Sequence, residues 1–368
     1  MKQKKYRILA IDGGGVRGLI PIQCLKSIEE RLRKKVGNPN ANIMDYFDLV
    51  SGVSVGSILM SLLIAPEIAG SKKAKYTVEE AHKILYEQIP YVFHASTFSR
   101  IKSMLGIKQD TVTKHLENVL HHHLGDMYLS EAIRPFVTVS YDVMRRHTKI
   151  FSSIEAQHKE WLDFYLRDVC RAGSAAPTYF EPANITSRTG VRYPCIDGGI
   201  TANNPSLFAL VYGRGLFQAE TAQILLLSLG CGKDEKPYYY EKAKDFGKIS
   251  WIRPLLDFIF SSSSETIEYF AQLAFEMREA PENLLRLSPS LKELPPGMST
   301  DLSDASPKNM EGMIELGQEL VEKNIKEIDN FLDLIIEEQE DIPEEEPAEK
   351  PPEETEDDEP DNDSQEVT

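Results

Sequence analysis

The sequence predicts an α/β fold, a layered sandwich in which helices flank a mostly parallel central sheet, followed by a helical C-terminal region. Short apolar runs that fit buried strands alternate with segments of helical periodicity. Two of the strand candidates end in glycine-rich turns that lead directly into helices. Alternation of strands and helices is typical of a parallel sheet. After Gly232 the helical pattern dominates.

The first unit of the predicted sheet is a strand, a glycine loop and a helix. Tyr6–Ile11 is an apolar run, Asp12–Gly18 reads Asp-Gly-Gly-Gly-Val-Arg-Gly, and Leu19–Leu32 has apolar residues at helical spacing. Backbone N–H groups of such a loop, at the start of a helix, can converge on an anion.

The second unit has the same order, with Tyr46–Val50 as strand, Gly52–Gly56 as turn and Ile58–Ile64 as helix. The stretch Leu49–Pro66 carries no charge and approaches the length of a membrane-spanning helix. Its four serines and its glycines favour a buried strand, a tight turn and a buried helix instead.

Further elements follow the same pattern. Strands are expected at Phe136–Tyr141, Lys149–Ser152, Tyr193–Ile196 and Gln223–Leu229, and helices at Val78–Glu87, Val112–His121, Trp161–Ala172, Ile249–Phe275 and Glu311–Ile336. The segment Glu279–Pro307 looks like an ordered loop. Ile249–Phe275 is apolar nearly all round, which fits a buried helix or one that faces lipid, and we favour packing in the core.

The charge of the chain is concentrated at its end. The 368 residues carry a formal charge of −17, whereas the 17 acidic residues and one lysine of Glu337–Thr368 account for −16, so residues 1–336 are nearly neutral. We therefore expect a disordered acidic tail at 337–368. The change after Gly232 from alternating strands and helices to helices alone divides the rest into a catalytic core at 1–232 and, at 233–336, a helical completion of that domain or a small cap. A nucleic-acid partner is not expected, because phosphate binding needs a basic face.

Metal and cofactor sites are not expected. The four cysteines lack metal-site or disulfide spacing and are read as reduced thiols, and the adjacent residues His121–His123 point in different directions on a helix. The apolar run after the basic N-terminus is too short for a signal peptide, so a cytoplasmic location is expected.

The Gly52–Gly56 turn has the pattern Gly-x-Ser-x-Gly and predicts a nucleophile at Ser54, since its flanking glycines permit the strained strand-to-helix turn that exposes a serine hydroxyl. The alternative is a packing turn of small residues. All eight histidines lie between positions 82 and 158, which excludes a late-chain catalytic histidine. The alternative base is a carboxylate, and Asp197 follows a short apolar strand and precedes Gly198-Gly199.

The glycine loop admits two interpretations. Gly13, Gly15 and Gly18 match the dinucleotide-binding pattern Gly-x-Gly-x-x-Gly. That fold requires an acidic residue at the end of the second strand, where this chain runs into the Ser54 turn. An oxyanion hole fits the two motifs better.

Three motifs follow one another in the chain: Asp12–Gly18; Gly52–Gly56, preceded by Asp45-Tyr46-Phe47-Asp48; and Asp197–Gly199. Taken together, they resemble the patatin-like phospholipase family. Ala172–Phe180 and Leu226–Gly232 resemble it as well, so the likeness spans about residues 6–232. It implies a Ser-Asp dyad without histidine. The residues that it assigns are Ser54 as nucleophile and Asp197 as base, the oxyanion hole of Gly14, Gly15 and Val55, and the supporting residues Gly13, Arg17, Gly18, Gly52, Gly56, Gly198 and Gly199.

Two details of the motifs bear on this likeness. Val53 and Val55 stand where the family more often has small polar residues, and Val55 narrows the approach to the serine. Arg17 is expected to steady the oxyanion or a lipid phosphate, or to pin the loop to a carboxylate.

The resemblance implies a serine lipid acyl hydrolase, a phospholipase A or non-specific lipid esterase, that takes membrane or micellar lipid without a cofactor. Such a protein would be cytoplasmic or peripheral at membranes. The alternatives are a non-catalytic lipid-sensing signalling module and, with less support, a dinucleotide-binding oxidoreductase. A homo-oligomer and a small-molecule activator stay open.

Overall fold

A computed structural model of the chain describes residues 4–93 and 110–340. Their eight strands form one sheet. The strands are β1 Tyr6–Ile11, β2 Leu49–Gly52, β3 Phe136–Asp142, β4 His147–Ser152, β5 Ala183–Thr186, β6 Arg192–Asp197, β7 Ile224–Leu229 and β8 Leu284–Leu287. Their order is β5-β6-β3-β2-β1-β7-β8, with β4 paired to β3.

The helices flank this sheet and form most of the chain after β7. They are α1 Leu19–Lys35, α2 Val55–Ile64, α3 Val78–Phe93, α4 Asp110–Leu124, α5 Ser153–His158, α6 Leu166–Gly173, α7 Gly199–Ala202, α8 Ser206–Phe217, α9 Tyr240–Ala243, α10 Lys248–Glu276, α11 Pro307–Lys323 and α12 Ile325–Glu340. The predicted α/β sandwich with a helical C-terminal region is confirmed.

The middle of the sheet is parallel and covered on both faces. β1 runs parallel to β2 and β7, β2 runs parallel to β3, and β7 to β8. Alternate β1 residues enter different cores, Leu9 and Ile11 with α1 and α2, and Ile8 and Ala10 with Leu210 of α8. Burial of both faces explains why β1 is a continuous apolar run.

The antiparallel part of the sheet brings two strands end to end. β4 pairs along β3 from Val137 to Asp142, which occupies one edge of that strand. On its other edge β2 pairs with Phe136 and Val137, while β6 pairs antiparallel with Ser140–Asp142. The C-terminal ends of β2 and β6 therefore approach each other across the short interval of β3 between these two registers.

The C-terminal helices pack against the first helix of the chain. The backbone oxygen of Gly317 in α11 accepts a hydrogen bond from Cys24 Sγ of α1 at 3.4 Å, and Arg31 forms an ion pair with Asp329 of α12. Buried residues of α1, α11 and α12 belong to one apolar cluster. The helices α11 and α12 therefore share the apolar core that α1 forms.

Several sequence expectations need correction. The second strand is Leu49–Gly52, since Ile43–Tyr46 forms a 3₁₀ turn, and β5 and β8 were not predicted; β8 lies within the segment expected to be a loop. The predicted helix 311–336 is interrupted at Asn324. Helix α12 continues to Glu340, so residues 337–340 are helical, whereas the expected tail beyond them lies outside the described residues.

Core packing of Ile249–Phe275 is wrong for much of α10, including Trp251–Phe258 and the exposed pair Tyr269 and Phe270. Phe275 and Ala271 are buried, but Ile252 and Leu255 are 48% and 52% exposed. The sequence is apolar on every side of this helix, and the rest of the fold covers only part of it.

We predict that Gly317→Ala lowers the free energy of unfolding by about 1 to 3 kcal/mol, because an added Cβ would lie 2.9 Å from the backbone oxygen of Ile20. The matched control is Gly215→Ala in α8, where a Cβ meets nothing within 4 Å, and which should stabilise by about 0.5 to 1 kcal/mol. Urea unfolding measures both. A separate unfolding transition for the C-terminal helices would contradict the expectation that residues 233–336 complete the same domain.

Candidate active site

Ser54 lies at a strained turn between β2 and α2. Its φ of 53° is in the region that favours glycine, and it occupies the N-cap position of α2 without using its side chain as a cap. A Cβ on Gly52 would lie 2.3 Å from the Gly56 oxygen, and one on Gly56 would lie 2.3 Å from the Ile11 oxygen. Both flanking positions thus require glycine, and the serine hydroxyl stays free for another partner.

That partner is Asp197, at the end of β6. Ser54 Oγ donates a hydrogen bond to Asp197 Oδ2 at 2.7 Å, and the Gly199 N–H donates to Asp197 Oδ1 at 2.7 Å. Asp197 is 1% exposed, whereas Ser54 is half-buried. A Cβ on Gly198 would lie 2.1 Å from the Val139 oxygen, so the turn after Asp197 sits directly on β3.

The surroundings of Asp197 make it a stronger base than an exposed aspartate. Burial raises its pKa from 3.8 to about 6, although the hydrogen bonds from Gly199 and Ser54 act in the opposite direction. No basic side chain contributes to this shift. At neutral pH the carboxyl group is therefore ionised and close to the range in which general bases work well.

The glycine loop faces this pair with unpaired donors. Gly15 has a φ of +55°. In the described part of the chain, the N–H groups of Gly14, Gly15 and Val55 donate no hydrogen bond, whereas those of Gly13 and Val16 donate to Asn203 O and Leu302 O. The three positions expected to form an oxyanion hole thus have their donors available.

The loop is fixed by residues that the sequence motifs did not indicate. Arg286 of β8 donates to both carboxylate oxygens of Asp12, at 2.8 and 2.6 Å, and to Ser228 Oγ at 2.9 Å. Burial lowers the pKa of Arg286, but the carboxylates of Asp12 and Glu268 together outweigh it and raise that pKa above its ordinary value. Asn203 Nδ2 also donates to Gly13 O at 3.3 Å. The Asn-Asn-Pro run soon after Asp197 was the one available signal for Asn203.

The other supporting residues lie around the same point. A Cβ on Gly18 would lie 2.6 Å from the Val55 side chain, so the loop and α2 are in close contact. Arg17 lines the space above Ser54, its buried Nε has no hydrogen-bond partner, and no described carboxylate forms an ion pair with it. The interpretation in which Arg17 pins the loop to a carboxylate is therefore not supported.

Two cavities of different character meet near Ser54. An apolar cleft of about 80 Å³ lies between α2, α3 and α4 and begins at Ser54 and Gly15. A polar cavity of about 720 Å³ shares Gly13, Arg17 and Asn203 with a small space that Ser54 and Asp197 also line. A bound molecule with an apolar and a polar part could therefore place the bond between them at the serine.

Other classes of site are not apparent in residues 4–93 and 110–340. No group of three or more His, Cys, Asp or Glu side chains is arranged to hold a metal ion there. Within the same ranges, no helix combines the length and the apolar character that crossing a bilayer requires. His123, from the histidine run, contacts the Tyr76 hydroxyl through Nδ1 at 3.0 Å.

The fold and the site geometry together define a class of protein, an α/β protein with a serine at a strand-to-helix turn, a buried carboxylate in contact with it and free N–H donors opposite. Comparison with known proteins identifies the family. A model described as patatin-like phospholipase matches residues 9–210. The chain therefore belongs to the patatin-like phospholipase family, which indicates lipid acyl hydrolase activity in general.

Individual relatives agree with this assignment. Patatin-like protein 2 from Oryza sativa is 30% identical over 89% of this chain and 86% of its own length. Patatin group J-1 from Solanum tuberosum is 30% identical over 88% of this chain and 85% of its own. In a separate comparison, the crystal structure of VipD from Legionella pneumophila matches 87% of this chain and 67% of its own, at 12% identity and a TM-score of 0.36.

We predict that Asp197→Asn stabilises the fold at neutral and higher pH. The pKa of Asp197 is higher in the folded chain than in an unfolded one, so the protonated form of Asp197 favours the folded state. This contribution to stability is present below pH 4 and is lost as the pH rises through about 6. At about pH 8 the variant should gain about 1 to 3 kcal/mol in free energy of unfolding, and at about pH 4 little or nothing.

Urea unfolding at the two pH values measures this difference. The control is Asp45→Asn, an exposed carboxylate that pairs with Arg134, where a change within about 1 kcal/mol is expected at both pH values. A loss of stability in Asp197→Asn at about pH 8 would show that the charge is stabilised rather than penalised by its surroundings.

Proposed function

We propose that this protein hydrolyses acyl esters of phospholipids or related glycerolipids through a Ser54–Asp197 dyad. The observation that carries the proposal is the 2.7 Å hydrogen bond from Ser54 Oγ to the buried Asp197 carboxylate. Family membership supports the class of reaction, and the site geometry supports the residues. The enzyme would be a carboxylic ester hydrolase of the phospholipase A or non-specific lipid esterase type.

In this mechanism Asp197 takes the hydroxyl proton of Ser54 directly as Oγ attacks the ester carbonyl. The oxygen of the tetrahedral intermediate then accepts hydrogen bonds from the N–H groups of Gly14, Gly15 and Val55. Asp197 returns the proton to the leaving alcohol, and an acyl-Ser54 ester remains. A water molecule, deprotonated by Asp197, then attacks this ester, the fatty acid is released, and Asp197 returns the proton to Ser54 Oγ.

The apolar cleft is where we place the acyl chain. Ile58 and Leu62 line it one and two turns after Ser54 on the same side of α2, and residues of α3 and α4 close it. Eight residues of helix rise about 12 Å. A fully extended chain covers about 3.5 Å in three bonds, so about ten bonds fit along this length.

The polar cavity is where we place the head group. It contains the Arg17 side chain, which leaves a guanidinium available to a lipid phosphate or to the developing oxyanion. This placement agrees with a protein that works at membranes as a peripheral enzyme.

A non-catalytic lipid-sensing module is the remaining alternative, since a lipid could occupy both cavities without being cleaved. The packing of the loop disfavours the dinucleotide-binding interpretation. Cβ atoms on Gly13 and Gly15 would meet Asn203 Oδ1 and Leu302 O at 2.3 Å, so atoms of the protein itself lie against the two glycines where a dinucleotide would have to approach.

We predict that Ser54→Ala reduces the release of fatty acid from phosphatidylcholine in mixed micelles by about 10⁴-fold or more. Asp197→Asn should reduce it by about 10²- to 10⁴-fold, because the nucleophile loses its base while the oxyanion donors remain. A fluorophosphonate probe should label Ser54 in the natural chain. The controls Ser262→Ala and Asp45→Asn, which alter an exposed hydroxyl and an exposed carboxylate, should retain full turnover.

Undiminished release by Ser54→Ala would rule out the nucleophile. Lipid binding without hydrolysis by the natural chain would favour the sensing module.

We also predict that Ile58→Phe changes the preference for chain length. The larger side chain would obstruct the cleft one turn from Ser54, so kcat/KM for decanoyl esters should fall by about 10- to 200-fold. Acetyl esters, which do not reach that turn, should be cleaved as before and serve as the internal control. Equal losses with both esters would show that the acyl chain lies elsewhere.

A further inference from the structure

Seven of the large apolar side chains that are exposed in the described residues lie in two segments close together in the sequence. Three consecutive tyrosines at the start of α9 and the first half of α10 present large apolar groups to solvent, with exposed fractions of 66% for Tyr239 and 52% for Leu255. We call this surface the aromatic face. Its members are Tyr238, Tyr239, Tyr240, Trp251, Ile252, Leu255 and Phe258.

The aromatic face is an ordered surface patch. Trp251, Leu255 and Phe258 follow each other at helical spacing and therefore share one side of α10. The ring of Phe258 lies 4.9 Å from that of Tyr238 and 6.4 Å from that of Trp251. Contiguous exposed apolar patches are uncommon on soluble proteins and mark surfaces that contact a partner or a membrane.

The aromatic face borders the entrance to the candidate active site. Tyr238 and Phe260 line the polar cavity, and Phe260 also lines the small space above Ser54 and Asp197. Farther along α10, the hydroxyl of Ser264 accepts a hydrogen bond from Asn203 Nδ2, the side chain that also contacts the glycine loop. One helix thus carries both the exposed patch and a wall of the site.

We propose that the aromatic face docks on the surface of a lipid bilayer or micelle and brings the polar cavity to the lipid head groups. This inference deepens the proposed function, since it supplies the surface from which that site takes its substrate. Tyrosine and tryptophan have an apolar ring and a polar edge, and both are enriched where hydrocarbon meets water. The neighbouring aliphatic residues Ile252 and Leu255 would enter the acyl boundary.

The charges around the aromatic face indicate apolar docking. Residues 234–248 contain four lysines and four acidic residues, so this flank has no net charge. Lys244 forms an ion pair with Glu241 within it. Binding should therefore occur on zwitterionic lipid and depend weakly on salt, in contrast to attachment through a basic patch.

The experiment measures docking without hydrolysis, in the full chain carrying Ser54→Ala. The protein has two tryptophans, Trp161 and Trp251, so Trp161→Phe leaves Trp251 as the sole indole reporter. With vesicles of dioleoylphosphatidylcholine we expect the Trp251 emission to shift to shorter wavelength and to be quenched by lipids brominated on their acyl chains. Unchanged emission at saturating lipid would overturn the proposal.

A pair of variants then tests the patch itself. Ile252→Ser with Leu255→Ser should weaken vesicle binding by at least about tenfold, since two exposed apolar groups are lost. The matched control is Ile68→Ser with Met144→Ser, which removes apolar side chains that are 71% and 61% exposed elsewhere and should leave binding unchanged. Thermal unfolding confirms that each chain is folded.

Three further results would overturn the proposal. If both pairs of substitutions weaken vesicle binding equally, or if neither pair weakens it, the aromatic face is not the docking surface. Sedimentation showing a dimer of the natural chain that dissociates in Ile252→Ser with Leu255→Ser would assign the face to a second copy instead. Since vesicle binding is measured without turnover, its failure is distinguishable from failure of the Ser54–Asp197 mechanism, which soluble esters test separately.

Discussion

The contact between Ser54 and Asp197 depends on two strands meeting end to end along one edge of β3. β2 runs parallel to β3 and ends at the Ser54 turn, while β6 runs antiparallel to it and ends at Asp197. The close packing of Gly198 on Val139 brings the second end down onto the same point. In a sheet that was parallel throughout, the C-terminal ends of β2 and β6 would lie side by side at the same edge of the sheet. The Ser54 hydroxyl and the Asp197 carboxylate would then not face each other in this way.

Burial of this contact determines both the basicity of Asp197 and the effect of its charge on the stability of the fold. An aspartate without a cationic neighbour in an enclosed place is a stronger base than in water, so a histidine is not needed to bring the pKa near neutrality. The same burial disfavours the ionised state and lowers stability at neutral pH. The fold tolerates this because the surrounding elements are held by other interactions, such as the Asp12–Arg286 pair under the glycine loop and the packing of α11 on α1.

The parts of the fold that could be predicted from sequence are those with local signals. Each strand, glycine turn and helix of the first two units is contiguous, so periodicity and glycine placement indicated them, and the histidine distribution indicated a carboxylate base. Arg286 could not be found in this way, because it meets Asp12 at a distance of 274 residues in the chain. The exposure of α10 also escaped prediction, since a helix that is apolar all round gives no sign of which side the rest of the chain will cover. The four-residue strands β5 and β8 were too short to stand out from their loops.

The pH dependence of the reaction between Ser54 and a fluorophosphonate probe tests the central claim most directly. In the proposed mechanism the single-turnover rate requires the ionised form of Asp197, so it should be constant above neutrality and fall about tenfold for each pH unit below about 6. In Asp197→Asn the residual rate should lose this dependence. A rate in the natural chain that is flat down to about pH 4, or one that keeps its transition in Asp197→Asn, would contradict the claim that the buried carboxylate is the base for Ser54.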